Sequence, residues 1–167
     1  KQIPINNGLY EGRLGIALLT AALLEADIPT DTDRTESLHR LVTPTREQLI
    51  KNPGKLASNP GLGDGIAAII YALATLSDME NSPSYRDELK TATAQVTETY
   101  IEDQWQNDLL NGRAGLLLAL LKAAAVLDRD RETHLAKHCG ETLLDQRIES
   151  PTGHSIWPVD GEPTHCT

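Results

Sequence analysis

The chain has 167 residues, 40% hydrophobic and 4% aromatic, with no Phe and a formal net charge of -9. Leu and Ala carry most of the apolar content and are strong helix formers, whereas the β-branched and aromatic enrichment of an all-β protein is missing, so an all-β fold is excluded. No stretch of Lys or Arg resembles a phosphate-reading surface, which excludes nucleic acid as a partner. The longest apolar runs, Leu14 to Leu19 and Ala114 to Leu121, fall short of the roughly 20 residues that a membrane span needs. There is no signal peptide, and two cysteines, Cys139 and Cys166, make no disulfide framework. The expectation is a cytoplasmic protein. Because the chain starts at Lys1 and not at Met, it is expected to be cut from something longer.

Three repeats follow one another. The first, near 9–51, opens on Leu9-Tyr10-Glu11-Gly12-Arg13-Leu14-Gly15-Ile16-Ala17. It predicts an inner helix over 13–26, a turn at Pro29, and an outer helix over 34–51 with an apolar stripe of Leu38, Leu41, Val42, Leu49 and Ile50. Pro44 predicts a kink or a break in that outer helix. The second repeat, near 61–102, opens on Leu62-Gly63-Asp64-Gly65-Ile66-Ala67-Ala68-Ile69-Ile70. An inner helix over 65–78, a turn at Asn81-Ser82-Pro83 and an outer helix over 84–102 with Leu89, Ala92, Val96 and Tyr100 are expected. The third, near 108–148, opens on Asp108-Leu109-Leu110-Asn111-Gly112-Arg113-Ala114-Gly115. An inner helix over 113–128 and an outer helix over 131–147, striped by Leu135, Cys139, Leu143 and Leu144, follow. Residues 149–167 have no helical periodicity and read as a loop.

The motif glycines Gly12, Gly65 and Gly112 recur about every 50 residues, one helical hairpin with its connections. Segments after the motifs are apolar on nearly all sides and should be buried; the others are amphipathic. Glycine lets the chain enter the helix tightly, and the small residue three positions on (Gly15, Ala68, Gly115) lets another backbone come close. Glu11, Asp64 and Asn111 stand just before the glycines and suit N-capping. Alternatively, these helix ends converge on one face and line a pocket.

These three motifs, with Trp157-Pro158 and Asp160-Gly161 after them, resemble the lanthionine synthetase C-like cyclases. The similarity is closest to the C-terminal cyclase domain of LanM-type synthetases. The resemblance implies an all-α, α/α toroid fold of inner and outer helices, with about three of the family's seven hairpins in this chain, so that 1–167 is part of one domain. It also implies a zinc-dependent lanthionine synthetase. A Cys thiol of a dehydrated precursor peptide adds to dehydroalanine or dehydrobutyrine, zinc favours the thiolate, and an acid returns a proton to the enolate. Asp108 matches an active-site aspartate of the third motif, as acid/base or orienting group; the alternative is that it caps or charges the helix start. The family's active-site histidine and zinc ligands fall beyond the positions matched here. Zinc is therefore expected in the full-length domain and not in this stretch, which alone should be inactive.

The remaining candidates are weaker. His138-Cys139-Gly140 has the family's Cys-His-Gly residues in another order, and Cys139 falls on the apolar stripe of an outer helix, as a core residue would. His165-Cys166 lies near the end, at no zinc-finger spacing. His39, His134 and His154 stand in polar surroundings. Arg13 and Arg113 follow the motif glycines, where they would meet a peptide carboxylate or phosphate-like group, or pair with Glu11 or neighbouring acids. Two other functions stay open. One is a non-catalytic helical-repeat module that binds peptides. The other is a different α/α toroid enzyme such as a glycoside hydrolase, disfavoured by a supply of only 2 Trp and 4 Tyr for stacking on sugars. Two faces of an open array are left uncovered, so self-association is expected.

Overall fold

The apolar run after Gly65 becomes the centre of the molecule. In the computed structural model, which describes residues 5–28, 33–52, 59–104 and 106–157, helix α3 (Ile66–Met79) buries Ile66, Ala67, Ala68, Ile69, Ile70, Ala72, Leu73, Ala74, Leu76 and Ser77. A helix apolar all round has to be covered on every side. Here α1 (Arg13–Glu25) and α6 (Arg113–Leu127) flank it, and α4 (Pro83–Thr93) lies behind it. Outside this row, α2 (Arg34–Lys51) packs on α1, and α7 (Asp130–Asp145) packs on α6. The short helix α5 (Glu98–Glu102) also packs on α7. The protein is all-α with inner and outer helices in alternation. Ile16 and Leu19 on α1, and Leu118 and Leu121 on α6, stay exposed. Among the described residues no helix is long and apolar enough to cross a membrane.

The outer helix expected over 84–102 is broken. Helix α4 ends at Thr93, a turn follows, and Thr97 restarts the chain as the N-cap of α5 by accepting the Tyr100 N–H. The cause lies on another helix. Arg131 donates from Nη1 to Thr93 O at 3.2 Å and from Nη2 to Val96 O at 2.8 Å, taking up carbonyls that the break sets free. Beside it the fully buried Glu132 accepts from Thr93 Oγ1 at 3.0 Å and from Arg131 Nη1 at 3.2 Å. The break puts Val96 and Ile101 into the core together.

Pro44 does not break α2, which runs unbroken through it. A mid-helix proline forfeits one backbone bond, but Val42 and Leu49 are buried in the common core on either side of it, and that packing holds the helix together. The segment read as a loop from 149 holds a small hairpin, β1 (Ile148–Glu149) and β2 (Ser155–Ile156), antiparallel with Ile148 opposite Ile156. Gly153, at φ +80, makes its turn in a region that favours glycine. Trp157 then donates from Nε1 to Leu143 O at 2.6 Å and ties the hairpin to α7. The turn placed at Pro29 lies outside the described residues.

Gly140 sits inside α7 with room for a methyl group, a new Cβ making ordinary van der Waals contact with Leu117 Cδ2 at 3.9 Å. Gly140→Ala is expected to stabilise the protein by up to about 1 kcal/mol. The midpoint of urea unfolding checks this; a lower midpoint would mean that α7 and α6 sit closer than described.

Candidate functional site

Each inner helix is entered through a loop of the same design. The first helical N–H closes on a carbonyl seven residues back: Arg13 N on Asn6 O at 2.9 Å, Ile66 N on Asn59 O at 2.8 Å, and Arg113 N on Gln106 O at 3.0 Å. In the first two loops an asparagine side chain shapes the turn, Asn6 Oδ1 accepting from Gly8 N and Asn59 Oδ1 from Gly61 N, both at 2.9 Å. In the third loop, Asp108 Oδ1 accepts from Leu110 N at 2.7 Å and from Asn111 N at 2.9 Å.

The loops are hydrogen-bonded to one another in a row. Leu9 N donates to Gly63 O at 2.9 Å, Leu62 N to Leu109 O at 3.1 Å, and Gly63 N to Leu110 O at 2.7 Å. Backbones this close leave no room for side chains. A Cβ on Gly115 would lie 2.8 Å from Leu62 N of the loop before it, and Cβ atoms on Gly15 and Gly115 would also collide with carbonyls of their own loops, Leu9 O and Leu109 O. The motif glycines and their small partners are therefore required by space.

The N-caps are the glycines themselves, Gly12, Gly65 and Gly112, without any side-chain cap. The capping expected of Glu11, Asp64 and Asn111 is not made. These three side chains instead line one depression of about 240 Å³ together with Asn6, Tyr10, Gly63 and Leu110. Convergence of the helix ends on one face, the other reading of the motifs, is what the geometry supports. Asp64 is steadied there by Asn59 Nδ2 at 2.8 Å. Asn6 and Tyr10 were not singled out from sequence; the shared place of Asn6 and Asn59, six residues before a motif glycine, was a readable signal for the first.

The residues predicted as functional fall in different places. Asp108 is exposed on the third loop, and its Oδ2 has no hydrogen-bond or ion-pair partner among the described residues. Arg13 is half-buried at the start of α1, and its side chain likewise has no such partner among them. Arg113 does not reach outward as a substrate-binding residue would. It is 1% exposed. Nε donates to Ile101 O at 2.8 Å, Nη2 to Glu102 O at 3.0 Å, and Nη1 to Asn107 Oδ1 at 2.8 Å and Gln146 Oε1 at 2.7 Å. Burial pulls its pKa below the usual arginine value. Arg113 thus caps α5, anchors the residue next to Asp108, and holds the end of α7. Nothing in the pattern of Asn107 and Gln146 along the chain marked them as its partners.

Among the described residues the histidines and the cysteine do not gather. Cys139 is fully buried, its thiol 3.4 Å from Arg113 O. Burial pushes it up to about 11, against the pull of the Arg113 cation. His138 Nε2 lies 3.2 Å from Glu102 Oε1, and His134 Nε2 lies 2.6 Å from Glu98 Oε1, across the α5–α7 contact. His39 faces Arg46, and His154 is exposed. Among the described residues no group of three or more His, Cys, Asp or Glu is arranged to hold a metal ion. His165 and Cys166, like Pro158, Asp160 and Gly161, lie outside the described residues.

Arg113→Met keeps the side-chain volume, removes four hydrogen bonds, and leaves Glu102 O and Asn107 Oδ1 without a donor among the described residues. A loss of about 3 kcal/mol of stability is expected, read from urea unfolding; a loss below about 1 kcal/mol would contradict the structural role given to Arg113.

Comparison with protein families matches the chain to the family described as lanthionine synthetase C-like protein, over residues 3–162. Comparison with curated proteins gives no significant match. The matched span takes in all three glycine loops, every described helix and the depression between the loops, and on that ground the chain belongs to the lanthionine synthetase C-like family.

Proposed function

We propose that the chain is the first part of the cyclase domain of a LanM-type lanthionine synthetase, a cytoplasmic enzyme acting on dehydrated precursor peptides. One observation supports this beyond the family match. Three motif loops stand side by side around one depression, and the third carries Asp108 with one carboxylate oxygen held and the other open.

The reaction adds a Cys thiol across the double bond of dehydroalanine or dehydrobutyrine. Sulfur bonds to the β-carbon, the π electrons move toward the carbonyl as an enolate, the thiol proton is lost, and a proton is returned at the α-carbon. Asp108 is positioned for the proton step. Leu110 N and Asn111 N fix Oδ1, so Oδ2 is presented in one orientation to take or give a proton. Arg13 is the basic group proposed to meet a peptide carboxylate. The depression lined by Tyr10, Glu11, Asp64, Leu110 and Asn111 is the proposed resting place for peptide, on the loop that carries Asp108. Zinc, in the family, favours the substrate thiolate. The buried Cys139 and the scattered histidines do not fit a zinc site, so the metal is assigned to the full domain and no step above runs through it.

The test is ring formation by the cyclase domain containing this chain, with zinc and a dehydrated precursor peptide, followed by alkylation of the remaining thiols and mass spectrometry. Asp108→Asn is expected to lower the cyclisation rate by about 100-fold or more with little change in peptide binding. Cyclisation at the parent rate would remove Asp108 from the chemistry. Saturable peptide binding with no cyclisation by the parent would establish a non-catalytic binding module instead.

A further inference from the structure

Loops 1 and 2 (residues 6–12 and 59–65) share a feature that loop 3 (106–112) lacks. Four residues before the motif glycine they carry another glycine, Gly8 and Gly61; loop 3 carries Asp108. The reason for glycine there is visible twice. A Cβ built on Gly8 would collide with Gly63 O of the next loop, and one on Gly61 with Leu110 O of the next loop. Both carbonyls stand two residues before a motif glycine. The slot beside the earlier loop is thus filled by an equivalent atom of the following loop each time.

In loop 3 that slot is taken by the side chain of Asp108. One of the two donors that carry the row onward is taken as well. Leu62 N and Gly63 N of loop 2 bond to Leu109 O and Leu110 O of loop 3, but the loop-3 equivalent of Gly63 N, Leu110 N, bonds to the carboxylate of Asp108, as does Asn111 N. One residue therefore fills the steric slot and one position of the hydrogen-bonding edge.

We infer that Asp108, besides the proton step proposed for its Oδ2, ends the row of paired loops. No further loop of this kind pairs with loop 3 in the way loop 2 pairs with loop 1. That edge stays open, and Oδ2 stays exposed on it. Resting on the proposed function, this opening is the side from which peptide reaches Asp108.

Amide hydrogen exchange by NMR on this chain tests the rule without any assay of activity. Gly8→Ala and Gly8→Asp are expected to speed exchange at Leu9 N by about tenfold, the equivalent of losing one hydrogen bond, while amides of α3 stay protected. Leu9 remaining protected in both would show that a side chain in this slot is compatible with pairing, and the inference would fall. Asp108→Ala is expected to speed exchange at Leu110 N and Asn111 N by a similar factor, and Asp108→Asn, which keeps an oxygen at the Oδ1 position, to leave them slow. Equal exchange in the two variants would overturn the anchoring role, and this pair decides should the Gly8 variants unfold. Loss of cyclisation in Asp108→Asn with slow exchange retained would leave the inference standing. Retained cyclisation with the expected exchange pattern would overturn only the proposed function.

Discussion

Backbone meets backbone at the mouths of three helices, and this contact sets the geometry of the rest. Hydrogen bonds join Leu9 to Gly63, Leu62 to Leu109 and Gly63 to Leu110. They hold the entries of α1, α3 and α6 in one row, so those helices start from a common face. Such pairing needs bare backbone, which is why a side chain at Gly8, Gly61 or Gly115 would strike the neighbouring loop. The amphipathic outer helices then cover the inner row from behind. The depression between the loops is a product of the same pairing, since its lining comes from all three entries.

Two arginines complete the arrangement from the opposite direction. The broken outer helix leaves carbonyls short of partners, Val96 O and Glu102 O having no backbone donor among the described residues, and such groups are costly when buried. Arg131 takes those of Thr93 and Val96, and Arg113 takes those of Ile101 and Glu102. Each guanidinium has several donors in a fixed fork, which suits two carbonyls of one chain reversal. Arg113 also bonds Asn107, the residue beside Asp108. The exposed carboxylate on loop 3 is therefore backed by a buried cation that never touches the surface.

Much of this order was legible along the chain because it is local or periodic. The inner helices begin and end within about two residues of their expected bounds, a margin at which helix ends are in any case loosely defined. The burial of α3 follows from an apolar run with no wet face. The spatial role of the motif glycines could also be read, since small residues three apart on a helix start imply a close neighbour. What escaped reading depends on partners distant in sequence. The break after Thr93 is stabilised by Arg131 and Glu132, which are separated from it by more than one helix. Arg113 looked like a surface group because its acceptors, Ile101 O and Gln146 Oε1, become neighbours only after folding. Glu11, Asp64 and Asn111 looked like caps because their position before a helix suits capping; the extended glycines after them turn the side chains to the depression instead. At Pro44 the expected break lost to packing of the residues around it.

The most direct measurement of the central claim is scalar coupling across hydrogen bonds between the loops, observed by NMR on uniformly labelled protein. Couplings from Leu9 N to the Gly63 carbonyl carbon, from Leu62 N to that of Leu109, and from Gly63 N to that of Leu110 are the expected result. Absence of all three, with the helical couplings of α3 and α6 present in the same sample, would contradict the account: the inner helices would then be aligned by side-chain packing alone, and Gly8 and Gly61 would need another explanation.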